Sequence, residues 1–328
     1  MFRRQDIETL GEKLLDLTAC AVPRYRILRD VLKIPPEDPR YVEARDKLAQ
    51  DSWVRELQYS QHPDGTWGRF HSRDSSLKPR FPTTEIAISR ALALGLGKDS
   101  EILRKAIDFM LAVLDGKAVW CDPPEKHEGW PASVRFITAG TLAAIDNRQP
   151  TLQPSCRKWV ELVKRTFRSG AYSSADERQA HFELNGVVTR DKYLKLASRY
   201  PLILLSAAQD GLSAKTEKLF LDWVWNKEGG IYYVCGERMS DLPALNSKEF
   251  SSWLEGLEIL ARFDSWHERM FPTLNWIWSQ RGSDGLWDLG PAARASVYFP
   301  LSESWRNSLD RKIDGSVRIL ALLRSFVD

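Results

Sequence analysis

Apolar residues recur at spacings of three and four through most of the chain, and this pattern constrains the fold more than any other feature. It begins with Ile7, Leu10 and Leu14 and returns in later segments such as residues 100–116 and 216–226. Such spacing places apolar side chains on one face of an α-helix, whereas a half-buried strand requires strict alternation. The best alternating segment, GGIYYVCG at residues 229–236, is short. We therefore predict an all-α protein with more than about 55% helix.

Two kinds of helical segment alternate along the chain. One kind is charged and amphipathic, and the other is rich in small apolar residues and follows an aromatic–proline pair. Proline suits the first position of a helix, and the aromatic ring before it can pack over the first turn. Five such pairs occur, at Phe81-Pro82, Trp130-Pro131, Tyr200-Pro201, Phe271-Pro272 and Phe299-Pro300. A repeat of about 50 to 70 residues is typical of helical hairpins.

About six hairpins of this size can curl into a closed ring, so we expect an α/α toroid. No low-complexity linker divides the sequence. We assign residues 1–35 to an N-terminal helical pair packed on the rim and residues 36–328 to the toroid domain.

Composition excludes several classes of protein. With 43% hydrophobic and 28% charged residues the chain is an ordinary globular protein, and a net charge of +3 does not indicate nucleic-acid binding. The cysteines at 20, 121, 156 and 235 form no CxxC pair, which argues against a disulfide framework or a zinc knuckle. The N-terminus does not resemble a signal peptide, and the longest apolar run, YPLILLSAA, is too short to cross a bilayer. We expect a cytoplasmic protein that is not transmembrane.

One predicted turn motif occurs twice in the sequence, as QHPDGTWG at residues 61–68 and as QRGSDGLWDLG at residues 280–290. Glycine allows the left-handed backbone of a tight turn, and aspartate can cap that turn or the next helix. A large indole ring can then pack one hairpin against its neighbour. The residues of this predicted structural repeat are Gln61, Asp64, Gly65, Trp67, Gln280, Asp284, Gly285 and Trp287.

These turns resemble the glutamine–tryptophan repeat of the terpenoid cyclases and protein prenyltransferases. Residues 22–48 also resemble the start of a prokaryotic, squalene-cyclase-like or prenyltransferase-like branch of that superfamily. The resemblance implies an α/α toroid that holds an isoprenoid or a comparable apolar ligand. Degenerate copies at residues 126–131, 168–174 and 226–234 keep a glycine and an aromatic residue but lose the glutamine.

The acid and metal motifs of that superfamily are missing. Neither the Asp-x-Asp-Asp motif nor the DDxxD motif occurs. Asp310 and Asp314, one helical turn apart beside basic residues, indicate a solvated helix face. Cys121, Asp122, His127 and Glu128 are suitable zinc ligands by type but not in the order that the family uses, and a loop with a buried cysteine and a surface histidine is the alternative. We predict no metal and no cofactor.

The candidate site residues form two groups. A basic loop after the first repeat could clamp a diphosphate, or it could be an ordinary solvated loop; its residues are Arg69, His71, Arg73, Lys78 and Arg80. Asp122, Asp176 and His181 are candidates for proton transfer. His181 shares a helix face with Glu177, which is also compatible with an exposed helical pair.

Two functions fit these observations. The first is an enzyme, or a descendant of one, that binds an apolar small molecule in an aromatic-lined cavity, with an isoprenoid diphosphate as a candidate ligand. The second is a non-catalytic helical-repeat scaffold that binds a protein or peptide partner. The thirteen tryptophans fit either function. A cavity of several hundred Å³ favours the first, because ligand pockets have about that size.

Overall fold

The structure is a computed structural model that describes residues 2–74, 76, 79–188, 192–208, 211–295 and 300–327. It contains 59% helix, and the described residues include isolated bridges but no strand, so the all-α prediction is confirmed. The α-helices are α1 (Arg4–Leu17), α2 (Ala21–Arg26), α3 (Pro39–Ala49), α4 (Ser52–Ser60), α5 (Thr84–Leu94), α6 (Glu101–Leu114), α7 (Trp130–Ile145), α8 (Gln153–Thr166), α9 (Ser174–Asn185), α10 (Arg199–Ala207), α11 (Ala214–Asn226), α12 (Phe250–Leu260), α13 (His267–Ser279) and α14 (Ser308–Arg324). A π-helical turn, Ile27–Val31, continues α2. No helix in the described ranges is long and apolar enough to cross a membrane.

Aromatic–proline pairs mark the start of three of the small, apolar helices. Trp130-Pro131 opens α7, Tyr200-Pro201 lies in the first turn of α10, and Phe81-Pro82 directly precedes the cap of α5. Phe271-Pro272 instead lies inside α13, which already begins at His267. Phe299 is outside the described residues. An aromatic–proline pair therefore predicts a helix start only where the helix has not already begun upstream of the proline.

The small, apolar helices pack on one another as well as on the amphipathic ones. Helix α7 contacts α6, α8 and α10, and α10 contacts α8 and α12. Gly140 allows the closest of these approaches, because a Cβ atom there would lie 2.7 Å from the Cβ of Tyr200. The small residues of α7 are thus explained by helix packing at close range.

The two ends of the chain meet. Helix α1 packs on α14, and the Phe2 ring lies 5.8 Å from the Trp278 ring of α13. Ile7 and Leu14 of α1 have no exposed surface. The first helices therefore share one apolar core with the last.

The two repeated turns have the same internal hydrogen bonds. Trp67 and Trp287 are both buried, and each indole N–H donates to the carbonyl of the residue ten positions earlier, Leu57 at 2.9 Å and Ile277 at 2.7 Å. These carbonyls belong to the last turns of α4 and α13, where the regular helical donors run out. The Leu57 carbonyl also accepts from the Ser60 hydroxyl at 3.4 Å, and the Ile277 carbonyl from the Gln280 backbone N–H at 3.1 Å. Each tryptophan thus closes the end of one helix.

The aspartate and glycine of the two turns also have the same backbone conformation and hydrogen bonds. Gly65 has φ +89° and Gly285 has φ +79°, a region that other residues resist. The carboxylates of Asp64 and Asp284 each accept from the backbone N–H two residues on. The sequence repeat is therefore a repeat of local structure.

The two turns differ in the hydrogen bonds that their glutamine side chains make. The Gln61 amide donates to the carbonyls of Gly65 and of Ile102 in α6, at 3.0 and 2.9 Å. Gln280 bonds only the hydroxyl of its neighbour Ser279. The second turn packs instead against α1, whose Lys13 donates to the Asp284 carbonyl at 2.6 Å.

Of the three degenerate copies, two form glycine turns and one does not. Gly170 and Gly229 have φ of +87° and +75° and form left-handed turns. Gly129 has φ −75° and lies at the start of α7, so the segment at residues 126–131 is a helix start and not a third turn of this type. Its glycine is needed for another reason, because a Cβ atom there would lie 2.0 Å from the Lys192 carbonyl oxygen.

The expectation that Asp314 lies on a solvated helix face is wrong. Asp314 is fully buried and accepts from the backbone N–H groups of Leu301 and Ser302 and from the indole of Trp305. Burial raises the pKa of its carboxyl, although these donors oppose that shift. The adjacent basic residues point elsewhere: Arg311 pairs with Asp288 at 2.6 Å.

Candidate functional site

A cavity of about 760 Å³ lies among α5, α7, α10, α12 and α14, with Arg26 of α2 at its wall. Aliphatic side chains such as Ile86, Ile203 and Ile259 form part of the lining, and charged residues form much of the rest. The aromatic rings of the described lining are His71, Tyr200 and Tyr233. The wall is therefore aliphatic and charged, in contrast to the tryptophan and phenylalanine lining expected from the sequence.

His71 and Glu85 form a pair at this wall. The Nδ1 atom of His71 lies 2.5 Å from one oxygen of Glu85, and the hydroxyl of Thr141 donates to the other oxygen at 3.1 Å. Burial acts to lower the pKa of His71, but the hydrogen bond and charge of Glu85 outweigh it and the pKa is raised. The side chain is 18% exposed, and its Nε2 atom has no partner among the described residues. Nε2 is therefore available to a ligand.

Asp122 fixes the loop that carries His71. Its carboxylate accepts from three successive backbone N–H groups, those of Phe70, His71 and Ser72, at 2.5 to 2.9 Å. The Phe70 ring stacks on Trp120 at 4.5 Å. Asp122 is buried and is not part of the cavity wall, so in this structure it positions His71.

Two tyrosines stand beside His71. The Tyr200 hydroxyl lies 3.4 Å from Nδ1, and the Tyr233 ring meets the imidazole edge-on at 5.3 Å. Tyr233 has φ +65°, a backbone conformation that costs free energy in a bulky residue and that clusters at functional sites. Burial first, and then the charge of Glu85, raises the pKa of Tyr200 far above its ordinary value. Burial first raises the pKa of Tyr233 as well. Both phenols are hydrogen-bond donors at neutral pH.

Arginine side chains line the cavity next to this group. Arg199, which precedes Tyr200 on α10, is paired with Glu255 of α12. Arg318 of α14 makes a bidentate pair with Glu258, at 2.6 and 2.8 Å. Arg262, just beyond the end of α12, is the third. With Arg26, the site therefore combines a histidine–carboxylate pair, two phenols and four guanidinium groups.

The basic loop predicted from the sequence is mostly turned away from the cavity. Only His71 lies at its wall. Arg69 pairs with Asp74 at 2.7 Å, and Arg80 pairs with Glu56 at 2.6 Å. Arg73 is exposed, and Lys78 lies outside the described residues.

Asp176 and His181 also lie away from the cavity, on α9. Asp176 bonds Arg168 at 2.6 Å. His181 is buried and stacks on Tyr193 at 4.0 Å, and burial lowers its pKa to about 3. Glu177, which shares its helix face, accepts instead from the Tyr172 hydroxyl and the Leu196 amide.

Sequence reasoning missed most residues of this site, although one signal was present. Glu85, Arg199 and Arg318 are charged residues within or at the start of small, apolar helical segments. A charge in such a segment must be paired or face a cavity, because burying it alone is costly. That argument does not apply to Tyr233, which is uncharged and lies in the degenerate copy at residues 226–234.

No group of three potential metal-ligating side chains occurs within the part of the chain that the structure describes. Comparisons with protein-family models, with curated proteins and with solved structures find no match for this chain.

Proposed function

We propose that this protein is an α/α toroid related in architecture to the terpenoid cyclases and protein prenyltransferases. Two observations support a closed ring. The first repeated turn packs on α6, the next amphipathic helix, and the second packs through different contacts on α1, at the opposite end of the chain. Helices that are separated along the chain also line one cavity.

We propose further that the cavity is an active site for proton transfer. The observation that carries this is the His71–Glu85 pair, with Nδ1 on the carboxylate and Nε2 without a hydrogen-bond partner among the described residues. A carboxylate at one ring nitrogen orients the imidazole and makes the other nitrogen a better base. Glu85 is the positioning residue, and His71 takes or returns the proton.

Tyr200 and Tyr233 supply the complementary chemistry. Removing a proton from a carbon or oxygen leaves negative charge on the ligand, and fixed donors in a water-poor site stabilise such charge. The two phenols retain their protons and lie at the imidazole. A ligand atom held between Nε2 and a phenol could thus lose a proton while its developing charge is stabilised.

The aliphatic part of the lining suits an apolar ligand body. Ile86, Ile203 and Ile259 offer surface to a branched hydrocarbon chain, which is compatible with the isoprenoid class. The charged part of the lining would then meet a polar head group. We propose a small amphiphilic molecule as the ligand.

Solvent deuterium exchange tests this function. Small molecules extracted from the purified protein, together with geranic acid as a defined probe, would be incubated with the protein in D2O and examined by mass spectrometry. We expect the wild type to introduce deuterium into one of them and His71→Gln to lose this activity by about 100-fold or more. His62→Gln, a change at an exposed histidine, is the control. Binding without deuterium exchange would contradict the proposed enzyme and indicate a carrier of the ligand. Absence of binding would favour the non-catalytic scaffold.

A further inference from the structure

Four arginines lie on the cavity wall, and Arg26 is paired with Asp30 of its own helical segment. Arg199 is paired with Glu255, and Arg318 with Glu258. The guanidinium of Arg262 has no hydrogen-bond or ion-pair partner among the described residues. Arg262 is therefore the unmatched charge of this group.

The position of Arg262 excludes the ordinary explanation of an exposed arginine. Its side chain keeps accessible surface, yet burial by surrounding protein lowers its pKa, Arg199 lowers it further, and the charge of Glu258, which is itself paired with Arg318, opposes the shift without cancelling it. A solvated surface arginine would show no such effect. The observation that places this side chain at the cavity is its position in the cavity lining.

Helix capping is the other structural explanation. Arg262 lies two residues beyond α12, where a cation can bond the last carbonyls of the helix. Its side chain makes no such bond, and only its backbone N–H does, to the Ile259 carbonyl. Neither capping nor ion pairing accounts for a guanidinium in this place.

The charges that line the cavity indicate which ligand charge would balance them. Four guanidinium groups line the cavity, and those of Arg26, Arg199 and Arg318 pair with Asp30, Glu255 and Glu258. The positive charge of Arg262 therefore has no ion pair among the described residues. His71 and Glu85 compensate each other when the imidazole is protonated. Lys248, also in the lining, is exposed and lies 3.6 Å from Glu249. One negative charge therefore neutralises the interior.

Resting on the proposed cavity function, we infer that the ligand carries a single carboxylate, bound by Arg262. A guanidinium fork matches a carboxylate with two parallel hydrogen bonds. A diphosphate brings more negative charge than Arg262 can balance and would have to displace Glu255 or Glu258 from their arginines. The substrate class is thus a small, largely apolar monocarboxylic acid.

Calorimetric titration with three probes of one carbon skeleton tests this inference. Geranic acid, geraniol and geranyl diphosphate differ only in their head groups. We expect geranic acid to bind about tenfold to hundredfold more tightly than geraniol, and geranyl diphosphate to bind no more tightly than the acid. Arg262→Gln should remove the preference for the acid and leave the affinity for geraniol unchanged.

Arg178→Gln removes an equal charge from the exposed side of α9 and is the matched control. Should Arg262→Gln not fold, the salt dependence of the wild type serves instead, because acid binding should weaken little with salt in an enclosed site. Tighter binding of the diphosphate, or an unchanged preference in Arg262→Gln, would overturn the inference. Failure of all three probes to bind would overturn the proposed cavity function as well.

Discussion

His71 and His181 lie in opposite environments. His71 meets a carboxylate, whereas His181 lies between apolar rings, and its Nε2 atom is buried without a hydrogen bond. A charged neighbour of opposite sign favours the imidazolium, and burial disfavours it. The two residues therefore titrate on opposite sides of the ordinary histidine value.

Glu85 should hold the pKa of His71 above 6.5. In a proton NMR titration we expect the His71 signal, assigned with His71→Gln, to move to lower pKa in Glu85→Gln. Because the pKa is raised in the folded state, the stabilisation is fully present below about pH 6.5 and is lost as pH rises through the folded pKa. Glu85→Gln should thus destabilise the protein more at pH 6 than at pH 9. An unchanged His71 pKa in the variant would contradict the pairing.

His181 should make the protein sensitive to acid. Burial first, and then Lys195, lower its pKa to about 3. A depressed folded pKa gives stability that is present above about pH 6.5 and is lost as pH falls toward the folded value. From this group we expect a loss of up to about 1.4 kcal/mol per pH unit between pH 6 and pH 4.

His181→Phe, which keeps a ring in the stack but cannot take up a proton, should flatten the pH dependence. The measurement is the free energy of unfolding in urea at several pH values. Equal slopes for wild type and His181→Phe would show that another group controls the acid sensitivity.

At the scale of the elements, the two tryptophan turns connect helices by the same bonds in different surroundings. Trp67 ties α4 to the turn before α5, and Trp287 ties α13 to the segment before α14. In each case the backbone N–H of the tryptophan also donates to a hydroxyl of the following small, apolar helix, that of Thr84 or Ser316. One residue therefore joins two helices.

Trp67→Ala and Trp287→Ala should each cost about 3 to 5 kcal/mol, as other large-to-small changes in cores do. Trp67→Phe keeps much of the ring volume but removes the indole donor from the Leu57 carbonyl and leaves it only the longer bond from the Ser60 hydroxyl, which should cost about 1 kcal/mol. Urea unfolding followed by circular dichroism gives these values. Tyr59→Ala, on the same helix as Leu57 with a side chain 96% exposed, is the control and should be nearly neutral. Two unaffected tryptophan variants would remove the structural role of the turns.

At the scale of the whole molecule, the packing of α1 against the last helices makes the termini part of one core. Ile7 and Leu14 are fully buried, and Phe2 contacts the rings of Phe271 and Trp278. An N-terminal helix that only rested on a rim could be removed at small cost. One that shares a core with α13 and α14 could not, because its removal exposes the apolar faces of those helices.

Deletion of residues 2–17 should lower the melting temperature of the whole protein and leave a single, broader transition. Full-length protein should unfold with coincident tryptophan fluorescence and circular dichroism curves, as expected of one cooperative unit. Two separate transitions in the full-length chain, the first of which disappears on deletion, would instead support an independent N-terminal pair.

The sequence by itself determined the helices and both tryptophan turns. Apolar spacing, capping residues and the Asp-Gly pair act within a few residues, so their consequences can be read locally. Thr83, for example, caps α5 through its own hydroxyl, and Gly65 takes its φ because no side chain opposes it. Charge patterns failed where burial depended on distant packing, as at Asp314, which lies next to two basic residues and is nevertheless fully enclosed.

Only the tertiary structure decided the site. His71 and Tyr200 are 129 positions apart, and the pairing of Arg318 with Glu258 spans 60. No local rule specifies which face of a helix meets a cavity, because that choice depends on how helices from distant parts of the chain pack. The same packing gave Arg199 and Arg318 each an ion pair and gave Arg262 none among the described residues, and from that difference the ligand's charge is inferred.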